Sequence, residues 1–172
     1  MEERTKLSMM PSLTLPSPLG VLTITSDGQA ITSVAFGKQK SSKEKTDKVL
    51  LQCRKELKEY FGGRRQKFSV AISPQGTDFQ RIIWREMLRV PYGKTISYSE
   101  LSKRIGKPKA MRATGSACGR NPIVILIPCH RIIASGSGIG GYSGGLEKKR
   151  WLLEHEKKFA QTQTALTMRA NA

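Results

Sequence analysis

Apolar residues early in the chain fall into three short β-branched runs, at 13–15, 21–25 and 31–36. The last two flank Ser26-Asp27-Gly28-Gln29, whose composition is that of a tight turn, so the pattern predicts a small antiparallel sheet. Leu50, Cys53, Leu57 and Phe61 then recur at three- and four-residue spacing, which predicts an amphipathic helix over 47–61 stopped by Gly62-Gly63. Residues 68–72 alternate as a further strand, and Ser73-Pro74-Gln75-Gly76 breaks the pattern. The lysine-rich stretch 38–48 reads as a solvated loop or a helix entry.

Beyond residue 76 the period becomes helical. Thr77 and Gln80 have capping-box spacing, and Phe79, Ile83 and Met87 share a face with Ile82 and Val90 beside it, up to Pro91-Tyr92-Gly93. That stripe reads as core packing rather than a ligand box. Ser97 and Glu100 repeat the capping-box spacing before a short helix closed by Gly106, and another helix is predicted over 110–119. The pair reads as a helix-turn-helix, although any helical hairpin shares this signal. The second helix carries Ala113, Gly115, Ser116, Ala117 and Gly119. Such small residues suit either tight packing on another helix or close approach of a ligand. Apolar periodicity fades after Glu156, so 161–172 is read as a frayed tail.

The 172 residues suit one compact unit or two small ones, and a boundary near 76 gives domains at 1–76 and 77–158 with a flexible tail at 159–172. Thirty Lys and Arg against thirteen Asp and Glu give +17, which points to a polyanionic partner. Nine basic residues and one acid, Glu100, lie from Arg89 through Arg131 with both ends counted, concentrating charge around the helical pair and favouring DNA over membrane. No apolar run approaches the ~20 residues of a membrane span, and no apolar leader stands in the first ten residues, so an intracellular, non-secreted protein is expected. Cys53, Cys118 and Cys129 are too few and too odd in number for a disulfide framework. Without paired Cys spacing no metal is expected, and no phosphate-loop or dinucleotide fingerprint appears.

The chemistry concentrates in Asn121-Pro122-Ile123-Val124-Ile125-Leu126-Ile127-Pro128-Cys129-His130-Arg131. Pro128 stiffens the approach to a sulfur that stands beside an imidazole able to raise its thiolate fraction. The residues alone leave two readings open, a nucleophilic dyad and a buried structural cysteine. The glycine-rich stretch 136–145, with Tyr142 and Ser143, suits either a planar ligand or an ordinary surface loop.

Ile127-Pro128-Cys129-His130-Arg131-Ile132-Ile133, after Asn121-Pro122 and before Gly140-Gly141-Tyr142-Ser143-Gly144-Gly145-Leu146, resembles the O6-alkylguanine-DNA alkyltransferase family. Lys149 and Trp151-Leu152-Leu153-Glu154-His155-Glu156 extend the resemblance, which spans roughly 13–156 and is most specific in its C-terminal part. It implies an α/β fold: a small ribonuclease-H-like N-terminal lobe with an antiparallel sheet, then a mainly helical, winged-helix-like lobe containing the helix-turn-helix. It implies direct repair of duplex DNA by single-turnover transfer of the alkyl group from O6-alkylguanine, less readily O4-alkylthymine, to Cys129, with nucleotide flipping and no cofactor.

On that pattern His130, oriented by Glu156, takes the cysteine proton through a water. Tyr98 rotates the nucleotide and supports the departing base, and Asn121 and Lys149 hold the cysteine loop. Arg112 enters the base stack, while Ser99, Lys107, Ala113 and Ser135 join it and Tyr98 against DNA through the minor groove. Ile132, Tyr142 and Ser143 contact the base. The resemblance implies a monomer acting in a prokaryotic cytoplasm or a nucleus. The zinc ligands of some members have no counterpart here. Cys118 reads as a packing residue, with a second oxidisable thiol near DNA as the other reading. A protein that binds alkylated bases without transfer, and a helix-turn-helix regulator, are the competing functions. The presence of Cys129 argues against the first and the small-residue helix against the second.

Overall fold

The computed structural model describes residues 10–38, 46–136 and 138–170, with side chains as far as residue 161. Two units are distinguished by their internal contacts. One takes the chain to Gln75 together with Pro122–Leu126, and the other takes Gly76–Asn121 and the chain from Ile127 onward. Residues 39–45 of the lysine-rich stretch, and the last two of the expected tail, lie outside the described residues.

In the first unit, β1 (Ser12–Ser17), β2 (Gly20–Ser26) and β3 (Ile31–Phe36) form an antiparallel sheet in that order. The turn between β2 and β3 is closed by Asp27 Oδ1, which accepts the backbone N–H groups of Gln29 at 2.9 Å and Ala30 at 2.8 Å. Helix α1 (Lys48–Phe61) begins at the Asp47 cap, whose carboxylate accepts the Leu50 N–H. It buries Leu50, Cys53, Leu57 and Tyr60 in a core shared with Leu13, Leu15, Leu22 and Ile24. The apolar stripe therefore turns onto Tyr60, and Phe61 is only half-buried.

Residues 68–72 do not form the expected strand, and a single bridge joins Ile72 to Ile31. The buried Glu56 carboxylate accepts the N–H groups of Ser69 at 2.8 Å and Val70 at 3.2 Å, which takes those donors out of any ladder. Burial works against the charge on Glu56, but these bonds and those from Ser69 and Gln52 side chains hold its pKa below the usual value. Val34 donates to Pro122 O at 3.0 Å and accepts from Val124 N at 3.0 Å, tying 122–126 to β3. Within that segment the buried Ile125 has φ +74°, a left-handed conformation rare for a β-branched residue.

In the second unit, α2 (Asp78–Met87) starts with the complete Thr77/Gln80 capping box. It buries Ile83, Trp84 and Met87, whereas Ile82 is exposed. The face is rotated onto the indole because Trp84 Nε1 donates to Ala117 O at 2.9 Å. β4 (Ile96–Ser97) pairs in parallel with β5 (Ile132–Ile133). At α3 (Tyr98–Arg104), Ser97 accepts the Glu100 N–H at 3.0 Å; the Glu100 side chain takes Arg104 at 3.1 Å and does not close a box.

Gly106, at φ +72°, turns the chain toward α4 (Met111–Gly119), and a buried Ser102–Thr114 hydroxyl pair at 2.9 Å joins the two helices. α4 buries Thr114, Ala117 and Cys118 and leaves Arg112, Ala113, Ser116 and Gly119 exposed. Cys129–Arg131 form one 3-10 turn behind Pro128, and α5 is Leu146–Ala170. The backbone is thus helical across most of the expected tail. Residues 156–170 contain no Gly or Pro, so propensity sustains the helix without an apolar stripe. Among the described residues no helix is long and apolar enough to cross a membrane.

Candidate active site

Cys129 is 4% exposed, at the start of the 3-10 turn, where its N–H donates to Ile127 O at 2.8 Å. The Asn121 amide fixes the sulfur from one side: Nδ2 donates to Cys129 Sγ at 3.1 Å and to Ile127 O at 2.8 Å. Burial pushes the thiol up, while Asn121, the Lys149 charge and backbone N–H groups pull it back. The sulfur is therefore a neutral thiol at rest that needs a proton acceptor to react.

The imidazole of the next residue, His130, is held on a buried ionic cluster. His130 Nε2 lies 2.7 Å from Glu156 Oε1. The same carboxylate receives Arg131 Nε at 2.9 Å, Arg131 Nη2 at 3.0 Å and the Gly93 N–H at 3.0 Å. Arg131 Nη1 continues to Val90 O at 2.7 Å, and the guanidinium lies over the Tyr92 ring at 5.6 Å. Burial would raise the Glu156 carboxyl, but His130 and Arg131 hold it down at about 2. Burial lowers the His130 pKa, and the adjoining carboxylate offsets part of that shift. With Nε2–H given to an ionised carboxylate, the lone pair of the neutral ring sits on Nδ1, a buried atom with no hydrogen-bond partner.

Lys149, fully buried on α5, donates to Ile132 O at 2.6 Å and Gly141 O at 3.0 Å. It ties β5 and the glycine-rich loop to one point. Burial lowers its pKa, and the Cys129 and Cys118 thiols work in the opposite direction. The Tyr98 hydroxyl donates to the same Gly141 carbonyl at 3.3 Å, and Lys149 Nζ lies 5.8 Å from the Tyr98 ring. Burial, followed by electrostatic interaction with the Cys118 and Cys129 sulfurs, pushes the Tyr98 hydroxyl up to about 12, so it remains a donor at neutral pH. Burial and an interaction with the Cys129 sulfur push Tyr142 up in the same sense.

Around the sulfur is a cavity of about 150 Å³ lined by Tyr98, Gly115, Cys118, Gly119, Cys129, Gly141, Tyr142 and Ser143. The sequence candidates Cys129, Tyr98, Tyr142 and Ser143 are thus brought to one space, with Asn121 and Lys149 bonded to its walls. Ile132 does not line it. Its side chain is fully buried, and it contributes the carbonyl that anchors Lys149. On the outer surface Arg112, Lys107, Ala113 and Ser135 are exposed and Ser99 is half-buried, with Lys107 Nζ 5.9 Å from the Phe79 ring.

Sequence reasoning assigned no role to Arg131; it read Cys118 as a packing residue or a second oxidisable thiol near DNA, and Gly115 and Gly119 as suited to tight packing or to close approach of a ligand, without placing any of the three on the cavity wall. Arg131 stands inside the cysteine motif, but its partner is 25 residues away. Among the described residues no group of three or more His, Cys, Asp and Glu side chains is placed to hold a metal ion.

Residues 78–158 match the DNA-binding domain of 6-O-methylguanine DNA methyltransferase, and 12–74 match its ribonuclease-like domain. A methylated-DNA–protein-cysteine methyltransferase of Haemophilus influenzae is 44% identical over 149 residues, 83% of each chain. One of Mycobacterium tuberculosis is 39% identical over 158 residues, 89% of this chain and 96% of that one. The crystal structure of the O6-methylguanine methyltransferase of M. tuberculosis matches with a TM-score of 0.79 at 37% identity, covering 87% of this chain and 94% of that chain. The structure of M. tuberculosis OGT in complex with DNA matches with a TM-score of 0.79 at 40% identity, covering 85% and 92%.

Proposed function

The chain belongs to the 6-O-methylguanine DNA methyltransferase family, and on that premise we propose that Cys129 is the sulfur that takes the alkyl group from guanine O6 in duplex DNA. Its activity is DNA repair by alkyl transfer to a cysteine. The observation that carries the residue assignment is the cavity, which Cys129 shares with two tyrosines and Ser143.

Cys129 Sγ attacks the alkyl carbon, an S–C bond forms, and the C–O6 bond breaks with its electrons passing to the guanine. The thiol proton is relayed by a water to His130 Nδ1, and Glu156 compensates the imidazolium that results. Tyr98 O–H, still protonated at neutral pH, donates to the departing base, and the Ser143 N–H supports O6. Asn121 holds the sulfur in line. Guanine O6 inside a stacked duplex is out of reach, so the nucleotide must be flipped into the cavity. The exposed face of α4 suits close approach to DNA because Ala113, Ser116 and Gly119 are small, and Arg112 on that face fills the vacated stack. The thioether has no hydrolytic return, so each chain acts once. The action belongs where DNA is, in a prokaryotic cytoplasm or a nucleus.

Incubation with duplex DNA containing O6-methylguanine, followed by intact and peptide mass spectrometry, tests this. One methyl group is expected on the tryptic peptide 121–131 and none after Cys129→Ala. A methyl on another residue, or lesion binding with no mass gain under reducing conditions, would falsify the assignment.

A further inference from the structure

The cavity wall carries a second thiol that the transfer does not use. Cys118, in the last turn of α4, and Cys129 are each 4% exposed and line the same cavity. Asn121 spans them, with its backbone N–H on Cys118 O at 3.2 Å and its Nδ2 on Cys129 Sγ at 3.1 Å. The two sulfurs also share an electrostatic neighbourhood. Burial raises both thiols, electrostatic interaction with the Cys129 sulfur raises Cys118 further, and Lys149 pulls both back.

We infer that Cys118 and Cys129 are a redox pair, in which a hydroperoxide oxidises Cys129 and Cys118 resolves the product to an intramolecular disulfide. In the first step the Cys129 sulfur attacks a peroxide oxygen. An S–O bond forms, the O–O bond breaks, and the leaving oxygen takes the thiol proton, giving a sulfenic acid and water or an alcohol. In the second step Cys118 Sγ attacks Cys129 Sγ. An S–S bond forms, the S–O bond breaks, and hydroxide leaves with the Cys118 proton as water. The two thiols are oxidised by two electrons and the peroxide is reduced. A dithiol restores both sulfurs by exchange.

Closing the bond needs Cβ atoms about 3.8 Å apart. The terminal turn of α4, the part of a helix that opens most readily, supplies whatever adjustment closure requires. Alkylated Cys129 is spent, whereas Cys129 held in a disulfide is recoverable and is shielded from irreversible oxidation to sulfinic acid. Cys53, fully buried in the other unit, is an internal control for non-specific oxidation.

Hydrogen peroxide treatment of the full chain, thiol blocking and non-reducing tryptic digestion read the bond directly. A linked pair of peptides 113–120 and 121–131 is expected, with the intact mass lower by two hydrogens and Cys53 free. A chain first methylated at Cys129 should form no link. Under peroxide exposure sufficient to carry an unresolved sulfenic acid on to sulfinic acid, dithiothreitol should restore alkyl acceptance, relative to each untreated protein, in the native chain and not in Cys118→Ser or Cys118→Ala. Oxidation of Cys129 to sulfinic acid with Cys118 still reduced in the native chain would overturn the pair, as would equal recovery in the variants. The protective consequence rests on Cys129 being the alkyl acceptor. The bond is read by mass without DNA, so the two readings fail separately, and the native-chain result stands even where a variant does not fold.

Discussion

Arg131 grips Glu156 with two nitrogens, Nε on Oε2 at 2.9 Å and Nη2 on Oε1 at 3.0 Å, and this fixes the carboxylate that holds His130. The proposed base is therefore oriented from a buried, internally neutralised pair. The Gly93 N–H occupies part of the remaining acceptor capacity of the carboxylate.

That cluster sets the acid limit of the fold. Glu156 drops from 4.5 to about 2 on folding despite its burial. It therefore contributes on the order of 3 kcal/mol, fully present above pH ~4.5 and lost as pH falls toward 2. His130, whose pKa is lowered by burial, also takes up its proton more readily once unfolded, so stability falls in the same direction below pH 6.5. Glu156→Gln should cost roughly 3–5 kcal/mol, because the buried Arg131 loses its counter-charge. Denaturant titrations across pH check both, and a variant with an unchanged acid limb would contradict the account.

The pH dependence of transfer follows from the neutral imidazole. Because burial holds His130 below its ordinary 6.5, the base is deprotonated throughout the neutral range. The acid limb of the single-turnover rate should lie below pH 6.5 in native protein and vanish in His130→Gln, where the remaining rate is low. Rapid-quench rates with a methylated duplex measure this, and a native limb centred at or above pH 6.5 would exclude His130 as the acceptor.

Arg112 is exposed on α4 away from the chemistry, so its effect should depend on the substrate. Arg112→Ala should slow repair of duplex lesions by roughly tenfold or more, equivalent to about 1.4 kcal/mol of unstacking left uncompensated. Reaction with a free O6-alkylguanine base should be nearly unchanged. Equal slowing of both would remove Arg112 from the flipping step.

Gly140 has φ +73°, and a Cβ there would stand 2.9 Å from Tyr98 Cε2 and 3.1 Å from Ala134 N. Gly140→Ala should cost about 1–3 kcal/mol in backbone strain and displace Tyr98 from Gly141 O. Transfer should fall even under conditions where the variant is fully folded. Circular dichroism alongside the transfer rate separates the two effects, and a folded variant with the native rate would show that Tyr98 is not placed by this contact.

Local regularities were legible in the chain itself. Thr77 and Gln80 announced the start of α2, the β-branched runs gave all three strands of the sheet, and Pro128-Cys129-His130-Arg131 marked the sulfur that lines the cavity. These features depend on neighbours within about four residues, where backbone periodicity and capping act. Tertiary packing decided the rest. It turned α2 onto Trp84 instead of Ile82, gave the N–H groups of Ser69 and Val70 to Glu56, and returned 122–126 to β3. It brought Arg131 to Glu156 and Cys118 to the cavity of Cys129. Each of these outcomes is the partner choice of a polar or apolar group made across many residues, and such a choice exists only once burial has removed water as the alternative partner.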